Sequence, residues 1–170
     1  LAGILKAAGA KDRVVGLTAV VFLILTLALV YLISVQFLDE RVAMGAVVVC
    51  VLTVPYLQHV AAGTEIAFLG FLITALFGLL LWWTRSASKR SDWWPLGTSV
   101  LIALCWLTRY EMLVLLPTVI VFWLHGSRRL RWRRVLLTVI PFALIAGLWI
   151  ARNVQLLDRP IVSPWSYYLL

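Results

Sequence analysis

The chain has 170 residues, 64% of them apolar and 13% charged, with fifteen Lys and Arg against seven Asp and Glu for a net charge of +8. A soluble domain averages about 45–50% apolar and 25% charged residues, so this composition excludes a water-soluble globule and requires the apolar excess to face lipid. The hydrophobicity recurs along the whole length, which excludes a cleaved leader as its source, and the mean hydropathy is +1.02.

Six apolar segments follow in chain order at 14–35, 42–58, 66–83, 93–108, 112–124 and 135–150, separated by charged or Pro/Gly punctuation. A helix needs about 20 residues to cross about 30 Å of hydrocarbon, and the first three segments meet or approach that length. The pattern predicts an all-α fold, a polytopic transmembrane bundle of about six helices. Opening on Leu1, residues 1–170 read as a partial transmembrane domain of a longer protein.

The stretch 93–124 needs separate treatment. As one helix it measures about 48 Å, and fitting about 30 Å of hydrocarbon requires a tilt of about 50°, beyond the usual range of about 0–40°. It also carries Arg109 and Glu111 near its middle. Two short helices turning at Leu107-Thr108-Arg109-Tyr110-Glu111 resolve both difficulties. Each arm is then about 20–24 Å long, so the expectation is a hairpin whose charged turn is sunk below the membrane surface. Charge at that depth marks a functional site.

Basic residues set the orientation. Eight of the fifteen Lys and Arg fall in two loops: Arg85, Lys89 and Arg90, then Arg128, Arg129, Arg131, Arg133 and Arg134. Loops this basic stay cytoplasmic, and the hairpin keeps both on one side. Segments 58–65, 109–111 and 152–170 then emerge outside, and the Asp39-Glu40-Arg41 turn lies inside. Lys6, Lys11 and Arg13 fall outside against the rule: either preceding sequence carries the topological signal or these residues meet lipid phosphates at the interface. Trp82, Trp83, Trp93, Trp94, Trp123, Trp132, Trp149 and Trp165 lie at or near the ends of apolar runs, where indoles favour the membrane–water boundary.

Three polar clusters gather on the inferred outer face. His59 stands on an apolar flank, either as an interfacial imidazole or in contact with substrate. Glu65 opens the next helix, where a carboxylate gains from the dipole and Thr64 can serve as N-cap. Arg109, Tyr110 and Glu111 form the second cluster: the two charges either pair internally or share a ligand, because a guanidinium fork suits phosphate oxygens. In the third, Arg152 either snorkels to the interface or meets a lipid phosphate.

Cys50 and Cys105 lie within apolar runs and read as small buried hydrophobes. No cofactor is evident, and a divalent metal has no support in the sequence, which lacks Cys or His at ligand spacing. Nor is there a P-loop, a Gly-rich dinucleotide motif or a His-Glu-x-x-His pattern. The Arg-rich segment is accounted for by orientation and anionic lipid, so nucleic acid is rejected as a partner.

Ala62-Gly63-Thr64-Glu65 before an apolar helix resembles the small-Gly-x-Glu-Thr segment of GT-C glycosyltransferases, with Ile66 where a second Thr or Ala is commoner. Leu107-Thr108-Arg109-Tyr110-Glu111 is similar to their Leu-Thr-Arg-Pro/Tyr-Glu segment between two short helices. Trp149-Ile150-Ala151-Arg152-Asn153, followed by Asp158-Arg159-Pro160, resembles their Arg-Asn…Gly-x-Pro stretch, with Asp158 in the Gly-like position.

The resemblance implies a multi-spanning enzyme of the cell envelope using a polyprenyl-phosphate-linked sugar, and the Leu, Val, Arg and Trp richness of the chain, with few Lys, points to a bacterial inner membrane. The resemblance also implies phosphate binding by Arg109 and Arg152, with Glu65, Glu111, Tyr110 and His59 supporting them or contacting sugar. The family's catalytic acid sits in the first outer loop, expected before Leu1. Two other classes fit the same helices: a transporter or lipid flippase, which predicts inverted repeats that are not visible here, and a non-catalytic membrane subunit.

Overall fold

A computed structural model describes residues 12–53, 65–85, 93–125 and 128–157. These form α1 (Asp12–Phe37), α2 (Glu40–Leu52), α3 (Ile66–Arg85), α4 (Trp93–Thr108), a 3-10 turn (Tyr110–Val114), α5 (Leu115–Leu124) and α6 (Arg128–Leu157), with no strand among the described residues. Gly16–Phe37, Ile66–Arg85 and Arg131–Leu156 are long and apolar enough to cross a membrane, and Trp93–Thr108 and Tyr110–Leu124 are shorter apolar helices. The protein is therefore all-α and polytopic, as composition required. The chain divides into two compact units, Leu1–Trp82 and Trp83–Leu170.

In the first unit α1 ends at Phe37, Asp39 takes an extended conformation, and α2 folds back along α1. At the end of α2 the Thr53 N–H and hydroxyl donate to the Cys50 and Val49 carbonyls. Phe22 of α1 meets Phe68 edge-on at 4.8 Å and Phe71 at 5.5 Å, while Gly78 faces Ile33. Advancing along α1 thus means advancing along α3, so the two run in the same direction with α2 returning between them in sequence.

The second unit contains the hairpin. Ser99 of α4 donates its hydroxyl to the Thr138 carbonyl of α6 at 2.7 Å, and Trp106 packs against Phe142. Contacts that advance together make α4 and α6 parallel. Trp123, near the end of α5, meets Arg134, which precedes Thr138 on α6. The chain has therefore reversed between Thr108 and Leu115, and α5 runs back beside α6. Small residues make the close approach: Thr98, Ser99, Ala103 and Cys105 of α4 are fully buried. The Thr98 and Thr138 hydroxyls bond back to Pro95 and Arg134 carbonyls, so neither is left unmet in an apolar interior.

Two features differ from expectation. The basic segment 128–134 is the opening of α6 rather than a loop. Arginine is a good helix former and no Gly or Pro interrupts it after Gly126, so charge density alone does not stop the helix. The tryptophans also divide their roles: Trp82, Trp93 and Trp132 are exposed, but Trp94, Trp106 and Trp123 are buried as packing residues. Cys105 is buried as expected, and Cys50 only partly. Trp165, Lys89 and Arg90 lie outside the described residues.

A Cβ at Gly78 would stand 2.7 Å from Ile33 Cδ1, whereas one at Gly147 would meet nothing within 4 Å. Gly78→Leu is expected to destabilise the protein by about 1–3 kcal/mol through overpacking. Gly147→Leu should stay within about 0.5 kcal/mol of the parent. Thermal unfolding of both variants in detergent checks the contrast.

Candidate functional site

The break between α4 and α5 is built locally. The Arg109 N–H makes the last α-helical bond, to the Cys105 carbonyl, and the Thr108 hydroxyl donates to Leu104 O at 2.8 Å. Such hydroxyl back-bonding competes with straight continuation of a helix. Arg109 then adopts φ −145° and ψ 122°, and its carbonyl accepts from Met112 N–H to start the 3-10 turn. Pro117, in the first turn of α5, needs no N–H there. The reversal thus satisfies its backbone within a few residues, and Arg109, Tyr110 and Glu111 project from it.

Arg109 Nη1 lies 4.0 Å from Glu111 Oε2, with the side chains 40% and 51% exposed. An internal pair, one of the two readings of these charges, is thus within reach, open on one side rather than enclosed. An ion pair this exposed adds little stability, and an open guanidinium remains accessible to an approaching anion. Tyr110 is exposed next to it.

Arg152 lies near the far end of α6, its guanidinium carbon 5.2 Å from the centre of the Trp149 ring. The Trp106–Phe142 and Ser99–Thr138 contacts set the register. Counted from them, Arg152 stands about 6–10 Å further along the helix direction than Arg109. Both arginines therefore sit toward the same end of the second unit, at different depths. Asn153, next to Arg152, is a buried polar residue.

Glu65 belongs to the first unit. Its carbonyl accepts from Leu69 N–H, so Glu65 itself holds the N-cap position of α3, and its carboxylate gains from the helix dipole. His59, Thr64 and the segment 158–160 lie outside the described residues. Among the described residues, no three His, Cys, Asp or Glu side chains come together as a metal site would need.

At the opposite end of the second unit stands a cluster the sequence did not single out. Arg134 is only 7% exposed, with its guanidinium 5.0 Å from the Trp83 ring centre and 5.9 Å from that of Trp123. The two indoles meet edge-on at 5.0 Å, and Phe122 closes on Trp83 at 5.4 Å. A buried guanidinium stabilised by aromatic faces ties the end of α3 to α5 and α6. Standing among Arg128, Arg129, Arg131 and Arg133, Arg134 carries no sequence signal that separates it from the solvated charges around it.

The fold and this geometry define a polytopic all-α membrane protein with accessible charge concentrated at a helix break. The chain belongs to the family described as dolichyl-phosphate-mannose-protein mannosyltransferase, whose model matches residues 1–151. The protein is thus a membrane glycosyltransferase of the GT-C type, in agreement with the motifs. The match takes in Glu65, Arg109, Tyr110 and Glu111 and ends one residue before Arg152. No curated protein and no solved structure matches the chain.

Arg134→Ala is expected to cost about 2 kcal/mol, the worth of a desolvated cation–π contact. Arg134→Lys should recover less than half of this, because an ammonium cannot present a planar face to two rings. Thermal unfolding of the full-length protein separates the two variants.

Proposed function

We propose that the protein transfers a sugar from a polyprenyl-phosphate donor to an acceptor on the extracytoplasmic face of its membrane. The observation that carries this reading is the accessible Arg109–Glu111 pair at a helix break in a chain of the mannosyltransferase family. In the proposed reaction an acceptor oxygen attacks the anomeric carbon of the sugar. A new C–O bond forms there, the bond to the phosphate oxygen breaks, and the leaving phosphate carries the electron pair away.

Negative charge grows on that phosphate in the transition state, and preorganised positive groups lower the barrier. Arg109 presents a fork suited to two phosphate oxygens, and Arg152, displaced toward the end of α6, can meet the same lipid headgroup from the interface side. Glu111 orients Arg109. Tyr110 offers a hydroxyl to the phosphate or sugar, and Glu65 and His59 serve as further sugar contacts from the preceding segment. None of these residues is assigned as the base that deprotonates the acceptor.

The same reading makes the Arg-rich face cytoplasmic, which the clustering of basic residues at 85–90 and 128–134 supports. A bacterial inner membrane is proposed from the Leu, Val, Arg and Trp richness of the chain.

Arg109→Ala in the full-length protein should lower transfer from a polyprenyl-phosphate sugar by about 100-fold or more, as loss of a transition-state donor does. Expression should be unchanged. Arg109→Lys, which keeps charge without the fork, should fall between the two. Turnover by Arg109→Ala equal to the parent's contradicts the proposal.

A further inference from the structure

Along its thirty residues α6 carries no Asp or Glu, so Arg152 finds no acid on its own helix. Among the described residues no carboxylate forms an ion pair with it. Residues three and four apart share a helix face, and on that face Arg152 is flanked by the exposed Leu148 and Leu156 and by Trp149. What holds its exposed guanidinium is the Trp149 ring, whose centre lies 5.2 Å from the guanidinium carbon.

This contact runs against the pull of water. An arginine near the end of a spanning helix ordinarily carries its head outward to the solvent. Helical side chains lean toward the N-terminus, and Arg152 folds back along α6 onto Trp149. The backbone of Trp149 lies about 4.5 Å further into the span than that of Arg152. Because Arg152 stands about 6–10 Å beyond Arg109 along the helix direction, folding back brings its guanidinium closer to the depth of the Arg109 turn. The indole keeps the cation inside the boundary.

The two arginines are also held by different chemistry. Glu111 faces Arg109 with negative charge and oxygen acceptors. An indole face attracts a guanidinium through its quadrupole and brings neither. The charge of Arg152 and its five N–H donors therefore remain for an incoming oxyanion.

We infer that Trp149 is a positioning residue, whose ring holds the Arg152 guanidinium at the depth where it receives the phosphate of the lipid-linked sugar donor. The inference rests on the sugar-transfer reading and deepens it. Trp149 touches no reacting atom; it acts through Arg152, on donor binding rather than on the chemical step.

The test is steady-state kinetics of the full-length protein with a polyprenyl-phosphate sugar, arranged as a double-mutant cycle on positions 149 and 152. Arg152→Gln should raise the donor KM about tenfold, the loss of a charged hydrogen bond. Its kcat should stay near the parent's, as for a contact made equally in ground and transition states. Trp149→Leu should raise KM about threefold, and Trp149→Phe, which keeps an aromatic face, should recover most of that. In the Arg152→Gln background Trp149→Leu should add nothing, because no cation is left to hold. Trp132→Leu, at the other end of α6, should keep the parent's KM. A Trp149→Leu increment of equal size in both backgrounds means packing alone and overturns the inference. So does a parent-like KM in Trp149→Leu, a Trp149→Phe no better than Trp149→Leu, or an equal rise in Trp132→Leu. Trp149→Met repeats the cycle if Trp149→Leu fails to fold. A parent-like KM in Arg152→Gln also overturns it, while Arg109→Ala remains the separate measure of sugar transfer.

Discussion

Hydrocarbon offers no partner to an unpaired N–H or C=O, so every place where a helix stops inside a membrane protein has to satisfy its own backbone. That constraint organises this chain. The break at Arg109 meets it in three consecutive steps: the Arg109 N–H closes α4, the Arg109 carbonyl opens the 3-10 turn, and α5 resumes with a proline in its first turn. Because the reversal is self-contained, it can carry an arginine, a tyrosine and a glutamate without a loop long enough to reach bulk water. Charge at this point is tolerated because Arg109 and Glu111 lie 4.0 Å apart and remain partly exposed.

The same constraint shapes the helix contacts. With lipid as apolar as leucine, helices gain little from hydrophobicity against one another, and association depends on close packing and on polar groups that find partners. Thr26, Thr74, Thr118 and Thr138 turn their hydroxyls onto carbonyls of their own helices. Ser99 instead reaches across to Thr138 O, joining α4 to α6 at a line of small buried residues. That bond aligns the hairpin with α6 and so places Arg109 and Arg152 toward one end and the Arg134–tryptophan cluster toward the other.

Much of this was legible in the sequence. Apolar runs and their punctuation revealed the helical class, and the arithmetic of length against tilt revealed the reversal at Arg109. Charge alone left Arg109 and Glu111 either pairing internally or sharing a ligand, and the structure sets them 4.0 Å apart. What was not legible was the phase of helices that are apolar all round. Arg134 sits in a run of five arginines and reads as solvated charge, yet its helix turns it toward Trp83 and Trp123 while Trp132, two residues earlier, faces outward. The stripe of Arg134, Thr138, Phe142 and Ala146 against that of Trp132, Leu136, Ile140 and Leu144 becomes interpretable only once one interhelical contact fixes the rotation. For the same reason the tryptophans could not be sorted into boundary anchors and packing residues from their positions at the ends of apolar runs.

The account depends most on the reversal between α4 and α5, and site-directed labelling tests it directly. Single cysteines introduced as Tyr110→Cys, Gln155→Cys and Trp132→Cys in an otherwise cysteine-free full-length protein are exposed to a membrane-impermeant maleimide in sealed, oriented vesicles. A reversal at Arg109 requires positions 110 and 155 to be labelled from one face and position 132 from the other. Protection of position 110 from both faces, with 132 and 155 still labelled from opposite faces, would mean that 93–124 crosses the membrane once with Arg109 at its middle, and the hairpin would be refuted.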